Sequence, residues 1–329
     1  MKKYILTAVA VASSMASATA QYAPQVGITG SAAISSSSPQ IVSWANSCTL
    51  YRGYTDIAQP SLGSVTSGDS SLATGTADFF VVSLGDSGVA VLSFPQPIVN
   101  GAGPDFAVFE NGFIDPADPE KAFLELAFVE VSSDGLVFFR FPAVSETQAA
   151  TQIAGAGVYM DARQINNLAG KYISNHGTPF DLQELAGTPG LDINNITHVR
   201  IVDVVGSIDG HSSYDANNNI INDPYPTAFP IGGFDLDAVA VLHAGTAAVS
   251  TAQTPASISM YPNPVRDLLT IKATEPLRLT VSSITGKVLI STEVNTEARL
   301  NMGDYVPGIY FLSFINKNGD QWVERISKL

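Results

Sequence analysis

Short runs of apolar, β-branched and aromatic residues recur along most of the chain, and few have the spacing of a helical face. They are Phe79–Leu84, Val89–Phe94, Asp105–Glu110, Ala127–Ser132, Val137–Phe141, His198–Val205 and Leu236–Leu242. Turn residues such as Gly85-Asp86-Ser87-Gly88 and Ser133-Asp134-Gly135 separate them, as expected of strands joined by tight loops. Many short strands without long helical patterns predict an antiparallel β-sandwich or jelly roll. Brief helices are expected only near Ala162–Ala169 and Asp181–Leu185. A second, shorter series, 268–271, 277–281, 287–290, 309–314 and 322–326, predicts a small Ig-like β-sandwich at the C-terminal end.

Between the two series, residues 246–258 are small or polar with a proline, a composition that packs no core and reads as a linker. The first twenty residues carry Lys2 and Lys3, an apolar run from Tyr4 to Ala12 and a small-residue stretch ending Ala18-Thr19-Ala20. That apolar run is short against the ~20 residues that span a bilayer, and the pattern is that of a cleaved secretory signal. The organisation expected is therefore signal peptide 1–20, a main β domain 21–245, linker 246–258 and tail domain 259–329. An integral membrane protein is not expected.

Charge separates the two domains further. Residues 21–258 hold six Lys/Arg against twenty-three Asp/Glu, a net of −17, whereas residues 259–329 are at +1. So acidic a domain repels nucleic acid and anionic lipid and favours cations or neutral ligands such as sugars. Cys48 is the single cysteine. Disulfides therefore contribute nothing to the fold, and the thiol is read as a small buried side chain.

The tail carries a more specific signature. Tyr261-Pro262-Asn263-Pro264-Val265 is followed by Leu269-Thr270-Ile271, Thr285-Gly286-Lys287-Val288, Pro307-Gly308-Ile309-Tyr310 and a basic end that includes Lys328. In this order and position the segments resemble the C-terminal sorting domain of type IX secretion. The resemblance implies Sec export, then passage through the outer membrane by the type IX machinery of Bacteroidota, ending at the surface or in the medium. Phe109–Phe113 and Gly232–Asp237 also resemble segments of Bacteroidota surface proteins of unassigned activity, which transfers no residue role.

In the main domain the most specific pattern is Tyr214–Asp223. Oxygen side chains stand at positions 1, 3, 5 and 9 of a loop, as Asp215, Asn217, Asn219 and Asp223, with the carbonyl of Ile221 at position 7. Calcium takes six to eight oxygens, and alternate residues of a tight loop aim them at one centre. Ile220 and Pro226 replace the Gly and Glu of an EF-hand, and an Asx-rich turn without metal is the competing reading. A second acidic group comprises Asp105, Glu110, Asn111, Asp203, Asp235 and Asp237. Alternation along a strand would put Asp235 and Asp237 on one face and Phe234, Leu236 and Ala238 on the other. Asp203 interrupts an apolar strand, and a buried carboxylate needs a partner. Tyr214, Tyr225 and Phe229 beside the loop are either a stacking platform or core.

No nucleophile elbow, zinc-protease helix or phosphate loop is present, and the four histidines lack metal spacing. The expectation is an exported protein whose acidic β-sandwich binds calcium and a glycan or other surface ligand. The alternatives are a carboxylate-dependent glycoside hydrolase, which needs only two opposed acids, and a structural adhesin.

Overall fold

The computed structural model describes residues 22–155, 157–245, 258–283, 288–316 and 321–329. The signal segment, most of the linker, and Gly286 and Lys287 of the tail motif lie outside the described residues. The chain divides into two compact units, Met1–Thr246 and Ala247–Leu329. The architecture is all-β, built from antiparallel sheets, and no described helix is long and apolar enough to cross a membrane.

In the first unit one sheet runs in the order Ile34–Ser35, His176–Phe180, Phe106–Glu110, Asp235–Val241, Ser43–Trp44, with Val82–Ser83 also pairing Asp235–Val241. The other runs Phe139–Arg140, Ala127–Ser132, Ile196–Asp203, Val89–Ile98, Ser47–Tyr51, with Leu168–Ala169 added at Ala127–Ser132. Phe106, Val108, Leu236, Val239 and Val241 of the first sheet form one apolar core with Leu92, Val129, Val131, Val199 and Ile201 of the second. Phe106 anchors it, stacking on Phe180 at 5.2 Å and meeting Phe141 edge-on at 5.9 Å. Ala107, Phe109, Ala238 and Ala240 face the opposite way, towards Ile34, Ile41 and Trp44. The first sheet is thus covered on both faces, so Phe106–Glu110 is continuously apolar until its last residue. The second sheet keeps an outer polar face, where Glu130 pairs with both Arg140 and Arg200.

Three local expectations change. Phe79–Leu84 yields only the strand Val82–Ser83, because the amides of Asp78 and Phe79 bond the Asp237 carboxylate and Phe79 takes a φ of 72°. The two brief helices are single 3-10 turns, Ala162–Gln164 and Leu182–Leu185, capped by Asp161 and Asp181. The segment after the first turn is extended instead, as Ile165–Asn166 and Leu168–Ala169. Cys48 is half-buried against the core, and burial pushes its thiol up to about 11.

The second unit has a three-stranded sheet, Ser259–Tyr261, Leu268–Lys272, Glu297–Asn301, and a four-stranded one, Val288–Val294, Leu277–Ser283, Gly308–Asn316, Gln321–Lys328. Leu269, Ile271, Leu279, Val281, Leu312, Phe314 and Ile326 form its core.

Candidate functional site

Glu110 ends its strand with its carboxylate turned inwards. One oxygen, Oε2, accepts from the Gly112 amide at 2.7 Å, and the other, Oε1, is buried without a hydrogen-bond partner. Asp235 opens the neighbouring strand and accepts from the Ser83 hydroxyl at 2.5 Å and the Asn111 side chain at 2.8 Å. Asp203 closes its strand in the other sheet and accepts from the amides of Phe234 at 2.7 Å and Ser87 at 3.0 Å. Asp223 accepts from the Leu126 amide at 3.2 and 3.3 Å. Glu125, next to that amide, completes the set.

These five carboxylates are buried and act on one another. Burial, then the charges of Glu110, Asp235, Asp223 and Asp203, push Glu125 well above the usual carboxylate range, and no donor offsets them. Burial chiefly, with the charge of Asp235, raises Glu110, while burial raises Asp203 together with the charges of Asp86 and Asp235, and raises Asp223 together with those of Asp203, Glu110 and Asp86. Asp235 is raised by burial, and its two hydrogen bonds work against the shift. Asp86 links the group outward. Burial holds it at about 6, its charge acts on Asp203 and Asp223, and Asp56 and the exposed His211 act on it in turn. Burial pushes Asp56 up, but hydrogen bonds from Gln59, Ala58 and Tyr225 outweigh it and leave the carboxyl below its ordinary value.

All six Lys and Arg of residues 21–245 are engaged elsewhere. Arg140 and Arg200 hold Glu130, Arg163 holds Asp161 and Glu120, and Lys121 holds Asp118. Arg52 serves the carbonyls of Ser67, Gly68 and Ser83, and Lys171 serves that of Ile165. Among the described residues no three His, Cys, Asp or Glu side chains already close on one point as a metal cage.

Backbone approach fixes the arrangement. Gly233 has a φ of 71°, and a Cβ there would lie 2.7 Å from Oδ1 of Asp203. A Cβ at Gly170, with φ 79°, would lie 1.8 Å from the Glu125 carbonyl oxygen.

The predicted site residues divide. Glu110, Asn111, Asp203 and Asp235 come together, with Asp237 near enough for its charge to act on Glu110. A bulge breaks the expected alternation at Asp237: Leu236 opposes Glu110 while Ala238 opposes Phe109, so Leu236 and Ala238 enter different apolar clusters. Asp105 stands apart at the other end of the strand, about 16 Å from Glu110 at ~3.3 Å per residue. It accepts from Gly101, Leu182 and the ring of His243.

The loop 215–223 also divides. Asp215 accepts from the amides of Ser145, Asn217 and Asn219 and from the Asn219 side chain, at 2.8 to 3.2 Å. Burial raises this carboxyl and those donors more than compensate, holding it low. Asn217 and Asn219 are exposed, Ile221 packs in an apolar cluster, and Asp223 leaves for the buried acidic group. Tyr214 and Phe229 are 51% and 61% exposed, while Tyr225 is half-buried with its hydroxyl 3.0 Å from Asp56.

Glu125, Asp86 and Asp56 are absent from the sequence-derived set. Glu125 interrupts the apolar run Phe123–Ala127 just as Asp203 interrupts its own strand, and that signal could have found it.

In the tail, Asn263 ties the Pro262-Asn263-Pro264 segment to the last strand, donating to the Arg325 carbonyl at 3.1 Å and accepting from the Ser327 amide at 3.0 Å. Tyr310 donates to the Val306 carbonyl at 2.7 Å, Gly308 pairs with Lys328 across the ladder, and Lys328 is buried.

A chain ending in such a unit is an exported protein with a C-terminal address: residues 259–328 match the family described as "Secretion system C-terminal sorting domain". The tail is a type IX sorting domain, which indicates export to the cell surface or the extracellular space and implies the secretion machinery as partner. No curated protein matches the chain.

Among solved structures, the β-glucuronidase of Ruminococcus gnavus with uronic isofagomine is 12% identical, with a TM-score of 0.23 over 88% of this chain and 43% of that one. The same enzyme with D-glucaro 1,5-lactone gives 11%, 0.21, 86% and 44%, and the Lactobacillus rhamnosus β-glucuronidase 11%, 0.19, 86% and 45%. The chain spans less than half the length of those enzymes, and likeness at these TM-scores carries nothing about fold or activity.

Proposed function

We propose that residues 21–245 form a calcium-dependent binding module, carried outside the cell by the sorting domain, that engages a glycan or other neutral surface ligand. The observation that carries the ligand reading is the exposure of Tyr214 and Phe229. Large rings left in water offer the apolar face that sugars stack on, and the half-buried Tyr225, whose hydroxyl bonds Asp56, belongs to the same stretch of sequence. The acidic excess works against polyanionic ligands and agrees with a neutral one.

The test is a glycan array probed with residues 21–329 in calcium, alongside a hydrolysis screen of the same glycans. Retention without turnover, lost at least tenfold in Tyr214→Ala and Phe229→Ala, is expected. Turnover would replace the binder with a glycoside hydrolase, and retention unaffected by both substitutions would remove the stacking platform.

A further inference from the structure

We infer that Glu110, Glu125, Asp203, Asp223 and Asp235 together hold at least one divalent cation of the calcium class, and that this buried centre, rather than the 215–223 loop, is the metal site of the main domain. The inference rests on the calcium-dependent reading above and assigns its site.

The cluster of acids alone would not carry it. Oε1 of Glu110 adds a separate fact: in a residue only 1% exposed, this oxygen is buried without a hydrogen-bond partner, while the charge of Asp235 acts on its carboxylate and that carboxylate's charge acts in turn on Glu125 and Asp223. Buried polar atoms are nearly always satisfied, and buried charges are paired or coordinate metals. Every Lys and Arg of residues 21–245 is committed elsewhere, so none of them supplies the counter-charge.

The donor set fits a hard cation. Five carboxylates carry ten oxygens, and an oxygen accepting from an amide keeps a second lone pair for a metal. Calcium takes six to eight oxygens in flexible geometry, whereas magnesium demands six at shorter distance and keeps its waters. The carboxylates come from the ends of strands in both sheets and from the segments at Glu125 and Asp223. An ion between them would therefore cross-link elements up to about 125 residues apart in sequence. They do not already meet at one point, so binding draws them inwards and couples to folding. The 215–223 loop is the poorer candidate, since Asp215 already takes four donors and Asp223 points elsewhere.

The experiment pairs calcium titration with ion location, on residues 21–329. Thermal melting in chelator and in calcium chloride is compared for the unmodified chain, Glu125→Gln and Asp215→Asn. Calcium is expected to raise the midpoint of the unmodified chain and of Asp215→Asn, and to lose at least tenfold in affinity in Glu125→Gln. Glu125→Gln in chelator is expected to melt no lower than the unmodified chain, since a neutral amide of the same shape replaces an acid that burial and its neighbours' charges disfavour ionising, which a purely structural role for Glu125 would not give.

Should Glu125→Gln fail to fold, crystals of the unmodified chain soaked in terbium locate the ion by anomalous scattering. A peak among the five carboxylates is the expected result. A peak at Asp215–Asn219 overturns the site and leaves the calcium reading standing. No peak, with a midpoint unmoved by chelator, overturns both.

Discussion

Asp215 and Asp223 differ in what their neighbours donate. Asp215 meets three amides and one side-chain amide from nearby residues and acts as the peg of an Asx turn. Asp215→Ala leaves these donors unsatisfied and should cost about 1–3 kcal/mol, read as a lower melting midpoint, with calcium affinity unchanged. Equal loss of calcium response would contradict the assignment.

Lys171 offers a pH-dependent counterpart. Its ammonium is buried against the Ile165 carbonyl and the rings of Tyr22 and Tyr172, and burial lowers it from 10.5 to about 8 despite the charge of Asp161. Between pH 8 and ~10.4 the unfolded chain binds the extra proton, so this group's contribution is unfavourable below pH 8 and is relieved as pH rises. Relative to Lys171→Met, the unmodified chain should gain up to about 3 kcal/mol between pH 7 and 10, as followed by denaturant unfolding at each pH. A difference independent of pH would contradict the burial of the charge.

At the scale of elements, the strands were legible where residues alternate or run apolar, because burial itself writes that pattern. What stayed hidden depended on distant partners. Nothing in Tyr214–Asp223 shows that Asp223 will bond an amide at Leu126, and nothing in Gly232–Asp237 shows the bulge that sets Leu236 and Ala238 apart. Phe79 and Phe80 have strand composition, yet the Asp237 carboxylate takes the amides of Asp78 and Phe79. Asp203 was legible as an acid interrupting an apolar strand and Glu110 as one closing an apolar run, and Glu125 was missed although its apolar setting is the same.

Two substitutions test the packing. Phe106→Ala removes a ring from the stack with Phe180 and Phe141 and should cost about 3–5 kcal/mol in equilibrium unfolding. Gly233→Ala forces a side chain onto φ 71° and towards Asp203. It should lower both stability and calcium response, whereas an effect on neither would show that the backbone has room to spare.

At the scale of the molecule, the two units divide the labour. The sorting domain supplies the address, with Asn263 fastening its signature segment to the last strand. The acidic unit holds the chemistry. Deleting residues 259–329 should retain the remainder inside the cell envelope, as read by fractionation, and the cargo's calcium response should persist. The −17 net charge of residues 21–258 then has a structural meaning: some of it lies on the surface, and a concentrated part is buried between the sheets without a basic partner.

The central claim is that this buried part is completed by a divalent cation. The most direct test is the melting midpoint of residues 21–329 in excess chelator against calcium chloride about 100-fold above its dissociation constant. Stabilisation of about 2.7 kcal/mol at that excess predicts a rise of roughly 5–10 °C. The same midpoint in chelator and in calcium would contradict the account.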